Sequence, residues 1–98
     1  MEIKTITEDK RLTVVLSGRL DTTTAPEFEK EMNDKLVDAE KLVLDLLGLN
    51  YVSSAGLRVI LKLQKLMNKK GGMKLINVSE EVMEILEITG FVDILTIE

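Results

Sequence analysis

Two adjacent serines, Ser53 and Ser54, followed by Ala55 and Gly56, carry the most distinctive chemistry in this chain. A serine hydroxyl serves as a nucleophile, as a helix cap or as a phosphoryl acceptor, and its surroundings decide which. The chain contains no histidine and no cysteine, which excludes a histidine base, a thiolate nucleophile and imidazole or thiolate metal ligation. Ser54-x-Gly56 shares the end of a hydrolase nucleophile elbow, but that motif needs glycine where Val52 stands, and it needs a histidine. Neither the P-loop spacing nor the dinucleotide-binding glycine fingerprint occurs, and Gly71-Gly72 follows a helical pattern instead of opening one. The 17 acidic residues show no spacing that singles out an acid/base pair or a divalent-cation site. No catalytic residue, metal ligand or cofactor is therefore expected. A serine before a helix is ordinarily its N-cap. The alternative is an accessible, modifiable hydroxyl, because a first helical turn offers amide donors and a positive dipole end to a phosphate. On spacing alone the cap is favoured.

The elements that hold these serines follow from periodicity. Ile3–Thr7 and Leu12–Ser17 alternate apolar and polar residues around Glu8-Asp9-Lys10, which predicts an antiparallel pair. After Gly18, the segment Asp21-Thr22-Thr23-Thr24 leads to a helix from about Ala25, with Thr24 and Glu27 as a capping box and Phe28, Met32 and Leu36 as its apolar stripe. The run Leu42–Leu47 reads as a central strand covered on both faces. A second helix is predicted from about Ala55 to Lys70, with Leu57, Ile60, Leu61, Leu63, Leu66 and Met67 inward. Arg58, Lys62, Lys65 and Lys69 form a basic stripe on its other side, ordinarily a solvated face and alternatively a docking surface. Met73–Val78 returns as a strand, Ser79 caps a third helix with Val82, Ile85 and Leu86 buried, and Gly90 ends it. Ile94–Ile97 is a candidate last strand. The pattern predicts an α/β fold, a mixed four- to five-stranded sheet with about three to four helices.

Bulk properties narrow the partners. A chain of 98 residues suits one domain over 1–98, burying somewhat more than ~60% of its unfolded surface. Apolar residues make up 45% and charged residues 31%, far from the signature of disorder. The start lacks a basic segment followed by an apolar run, and no apolar stretch approaches the roughly 18 residues of a membrane span, so a cytoplasmic protein without membrane insertion is expected. A net charge of −4 and three aromatic residues argue against nucleic acid as a partner.

The stretch Asp45-Leu46-Leu47-Gly48-Leu49-Asn50-Tyr51-Val52-Ser53-Ser54-Ala55-Gly56-Leu57-Arg58-Val59-Ile60 resembles the signature of the STAS domain, in its bacterial anti-sigma factor antagonist branch. Gly18-Arg19-Leu20-Asp21, Gly71–Leu75 and Thr89-Gly90-Phe91 resemble further elements of that family, so the likeness covers essentially the whole chain. It implies a partner switch. The unphosphorylated antagonist binds an anti-sigma factor that is also a serine kinase and frees a sigma factor. Phosphorylation releases the antagonist, and a metal-dependent serine phosphatase resets it. The acceptor two residues before the signature glycine maps onto Ser54. Many members carry aspartate at position 53 and a second hydroxyl at position 55, so Ser53 here is a second candidate acceptor and Ala55 a departure. The resemblance also implies a partner surface of Asp21, Thr22, Ser53, Ala55, Gly56 and Arg58, with Asp21→Ala slowing phosphorylation or weakening the kinase complex at nearly unchanged melting temperature. The alternative is a non-phosphorylated STAS docking subunit of a transporter or stress-signalling assembly.

Overall fold

The structure, a computed structural model, describes residues 1–98. The elements follow in the order β1 (Glu2–Glu8), β2 (Arg11–Leu20), α1 (Ala25–Lys35), β3 (Lys41–Val52), α2 (Ser54–Asn68), β4 (Met73–Ile76) and α3 (Glu80–Thr89), then a 3-10 turn over Phe91–Asp93. One four-stranded sheet carries them in the order β1-β2-β3-β4. β1 pairs antiparallel with β2 through a tight turn in which Asp9 and Lys10 both take positive φ. β2, β3 and β4 run parallel, so α1 and α2 are the crossovers, and the usual right-handed sense places both on one face. The expected last strand reduces to a single bridge between Leu75 and Ile97, and the sheet has four strands.

Parallel register aligns the apolar residues of three strands. Leu12, Leu42 and Met73 form one row, and Val14, Leu44 and Leu75 the next. These join Phe28 and Met32 of α1, Leu57, Ile60, Leu63 and Met67 of α2, and Val82 and Leu86 of α3 in one core cluster. Burying each such side chain contributes on the order of 2 kcal/mol, so this shared face holds the sheet and helices together. The opposite face is less covered: Val43 is buried there, but Thr13, Val15, Asp45 and Ile76 are only half-buried. β3 is thus fully covered along one face only, and Leu47 is 73% exposed.

A bulge explains Leu47. The register of β2 against β3 slips between Val15/Asp45 and Ser17/Gly48, so β3 carries an extra residue at this point. The Leu47 amide donates to the Asp45 carboxylate at 3.1 Å, and Asn77 Nδ2 donates to the same oxygen at 3.0 Å. Gly48 passes so close to β2 that a Cβ there would lie 2.6 Å from Ser17 Cβ. After the bulge Leu49 and Val52 return to the core, and the strand runs on to the serines. Leu66, expected inward, is exposed; the interior position is taken by Gln64, which donates to Asn68 Oδ1 at 2.8 Å.

Candidate functional site

The serines lie where β2 and β3 end together. Leu20 pairs with Val52, so the next residues, Asp21 and Ser53, leave the sheet side by side at the C-terminal edge of the parallel strands. The Leu20 carbonyl accepts the Ser53 amide at 2.8 Å. Gly56 sits directly above it: a Cβ there would lie 2.7 Å from Leu20 Cγ and 2.9 Å from Leu20 O. Only a residue without a side chain lets the first turn of α2 settle on the end of β2. Gly56, expected among the partner contacts, is therefore buried and acts by positioning the turn above it.

The two serines divide their roles. Ser53 is extended, with ψ 174°, and its Oγ accepts the Gly56 amide at 3.3 Å, making it the N-cap of α2. Ser54 is the first helical residue and is exposed. Its side chain is not needed for the cap, because the neighbouring hydroxyl already fills that position. Arg58 follows one turn later on the same side of the helix, also exposed.

Asp21 caps the other chain segment. Its Oδ1 accepts the amides of Thr23 and Thr24 at 3.0 and 3.1 Å, and the Thr24 hydroxyl lies 3.2 Å away. In return the Asp21 amide donates to Thr24 Oγ1 at 2.9 Å. This is the reciprocal pattern of a capping box, formed three residues earlier than the Thr24/Glu27 box expected from the sequence. Thr24 itself has helical φ and ψ and makes no cap bond, because the chain is already turning. Chiefly the Thr24 amide, and then the Thr23 amide, the Thr24 hydroxyl and the Arg19 guanidinium, hold the Asp21 carboxyl below the usual carboxylate range, against the opposing effect of desolvation. Arg19 Nε stands 3.8 Å from Asp21 Oδ2, and its guanidinium stacks 4.2 Å from the centre of the Tyr51 ring. The two carboxylate oxygens thus differ: Oδ1 is engaged within the turn, and Oδ2 faces Arg19 and solvent.

A groove of about 430 Å³ opens beside the junction, between α1 and α2. Thr22, Ala55 and Arg58 line it, so three of the residues expected at a partner surface come together. Lys62 and Lys65 also line it, from the basic stripe read in the sequence, whereas no sequence pattern pointed to Pro26, Glu29, Val59 and Leu61 as groove residues. The signal available for the groove was the spacing of Arg58, Lys62 and Lys65 along one side of α2.

The junction thus presents an exposed hydroxyl at a helix start, flanked by a hydrogen-bonded acidic turn and an open groove, on an α/β scaffold. The STAS domain family model matches residues 1–98, and the chain belongs to that family. The anti-sigma F factor antagonist of Paenibacillus polymyxa is 37% identical over 89 residues, covering 88% of this chain and 76% of that protein. The anti-sigma-B factor antagonist of Staphylococcus aureus is 29% identical over 97 residues, covering 97% of this chain and 90% of that protein. The crystal structure of an anti-sigma factor antagonist from Mycobacterium paratuberculosis shares the fold, with a TM-score of 0.88 at 22% identity over 98% of this chain and 83% of that one. No helix here is long and apolar enough to cross a membrane.

Proposed function

We propose that this chain is a phosphorylation-controlled anti-sigma factor antagonist of the bacterial cytoplasm. Unphosphorylated, it binds a cognate anti-sigma factor that is also a serine kinase, and so frees a sigma factor. Phosphorylation of Ser54 ends that complex, and a metal-dependent serine phosphatase restores it. The chain is then a binding protein and a substrate, not a catalyst. The observation that carries this reading is the division of labour between the serines: Ser53 caps α2 through Gly56, and Ser54 stands exposed beside it. Between the two candidate acceptors this favours Ser54, because modifying Ser53 would remove a structural hydrogen bond.

The physical consequences of a phosphate at Ser54 suit a switch. It adds about −1.5 to −2 charges and three acceptor oxygens. At the N-terminus of α2 an anion is stabilised by roughly 0.3 to 2 kcal/mol, so the fold tolerates the change. A partner packed over Ser54 would instead have to desolvate a dianion, at several kcal/mol. About 4 kcal/mol corresponds to roughly a thousandfold in affinity. Asp21 Oδ2 and Thr22, on the neighbouring strand end, complete the contact surface.

The test is incubation of the purified chain with ATP and a cognate anti-sigma factor serine kinase, read by mass spectrometry. One phosphate on wild type and none on Ser54→Ala is the expected result, with Ser54→Ala retaining kinase binding and Ser54→Asp losing it. Phosphorylation of Ser54→Ala at the wild-type rate would show that the acceptor is another residue.

A further inference from the structure

The groove between α1 and α2 has an unusual charge for its setting. Its α2 wall carries Arg58, Lys62 and Lys65, and its α1 wall carries Glu29, leaving two net positive charges on a chain whose net charge is −4. Lys62 is paired with Glu29 across the groove, which leaves Arg58 and Lys65 exposed without an acidic partner. Between these walls lie Ala25, Pro26, Ala55, Val59 and Leu61, an apolar floor. A solvated helix face needs no such floor, and a phosphate-backbone site would not use one.

We infer that this groove binds a short acidic segment of the kinase partner, one that places an apolar side chain on the floor and carboxylates against Arg58 and Lys65. The inference rests on the partner-switch reading above and adds the part of the surface and the chemistry that it recognises. Paired charges across such a contact steer association and set the register of docking. It also links the groove to Ser54. Ser54 immediately precedes Ala55, which lines the groove, and lies one turn from Arg58, so a phosphate of about −1.5 to −2 charges would offset the groove's positive potential as well as obstruct the surface.

Charge reversal in the full-length protein tests this. Lys65 is exposed and contributes nothing to the core, so Lys65→Glu should melt like wild type. With the same kinase as probe, Lys65→Glu is expected to weaken the unphosphorylated complex at least tenfold and Lys65→Ala by less, the loss shrinking as salt rises. Arg58→Glu should act in the same direction. At saturating kinase, Ser54 of Lys65→Glu should still accept phosphate. Wild-type affinity in both charge-reversed proteins, with Ser54 phosphorylated normally, would overturn the groove assignment and leave the switch standing. Absence of Ser54 phosphorylation in wild type would instead overturn the switch. Displacement of the kinase by a DNA oligonucleotide that binds the groove more tightly would mark a general polyanion site and overturn the assignment to an acidic protein segment.

Discussion

Gly56→Ala adds a methyl group where the start of α2 meets the end of β2. That carbon would lie 2.7 Å from Leu20 Cγ, 2.9 Å from Leu20 O and 3.0 Å from Leu20 Cδ2. Carbon atoms in contact prefer about 3.5–4.0 Å, so the shortfall against the side chain approaches ~1 Å. Leu20 cannot yield: its side chain is fully buried, and its carbonyl is held by the Ser53 amide at 2.8 Å. Overpacking of this kind costs about 1–3 kcal/mol. Alanine returns at most ~1 kcal/mol of helix propensity, and less in a first turn. The net expectation is a loss of about 1–2 kcal/mol, or roughly 5–15 °C in melting temperature for a domain of this size.

Thermal and urea unfolding followed by far-UV circular dichroism measure that loss. Because the displaced segment includes Ser53 and Ser54, amide resonances of both should shift, and phosphate transfer to Ser54 should slow at temperatures where the variant is fully folded. Combining Gly56→Ala with Leu20→Ala removes the side-chain clash but not the clash with the carbonyl. Leu20→Ala alone costs about 2–5 kcal/mol through its cavity. The double variant should therefore lose less than the sum of the two singles. A Gly56→Ala protein as stable as wild type, or more stable, would refute the view that close approach to Leu20 dictates glycine at this position.

Ser53→Ala should lower stability by about 1 kcal/mol through loss of the α2 cap while Ser54 remains a substrate, as unfolding and mass spectrometry will show. Asp21→Ala should lower the melting temperature, since the amides of Thr23 and Thr24 both donate to Oδ1; this replaces the expectation of unchanged stability drawn from the family resemblance. Asp21→Asn keeps an acceptor at that position and alters the outer one, so it should spare stability more than it spares kinase affinity. Because folding depresses the Asp21 carboxyl, its contribution is present above about pH 4 and is lost as pH falls through the lower folded-state value. Urea midpoints of Asp21→Asn should accordingly fall less steeply than those of wild type below pH ~4.

The strands, helices and apolar stripes were legible because each depends on local periodicity, and the parallel sheet simply aligned them. What stayed hidden depended on residues brought together across strands. Leu42–Leu47 reads as a strand buried on both sides, since nothing in its composition announces that the bulge at Leu47 turns one leucine to solvent. Asp45, which resembles an ordinary polar interruption, proves to be the acceptor that holds that bulge through Leu47 and Asn77. Asp21 and Thr24 were both visible as capping residue types, but which of them caps was decided by where β2 ends, at Leu20. The serine pair shows the same dependence. Residue spacing alone does not say which of the two hydroxyls is the cap, although the family resemblance points to Ser54 as acceptor; pairing Leu20 with Val52 puts the Leu20 carbonyl beneath Gly56, seats the first turn of α2, and commits Ser53 to that turn. The freedom of Ser54 is thus a consequence of long-range strand register.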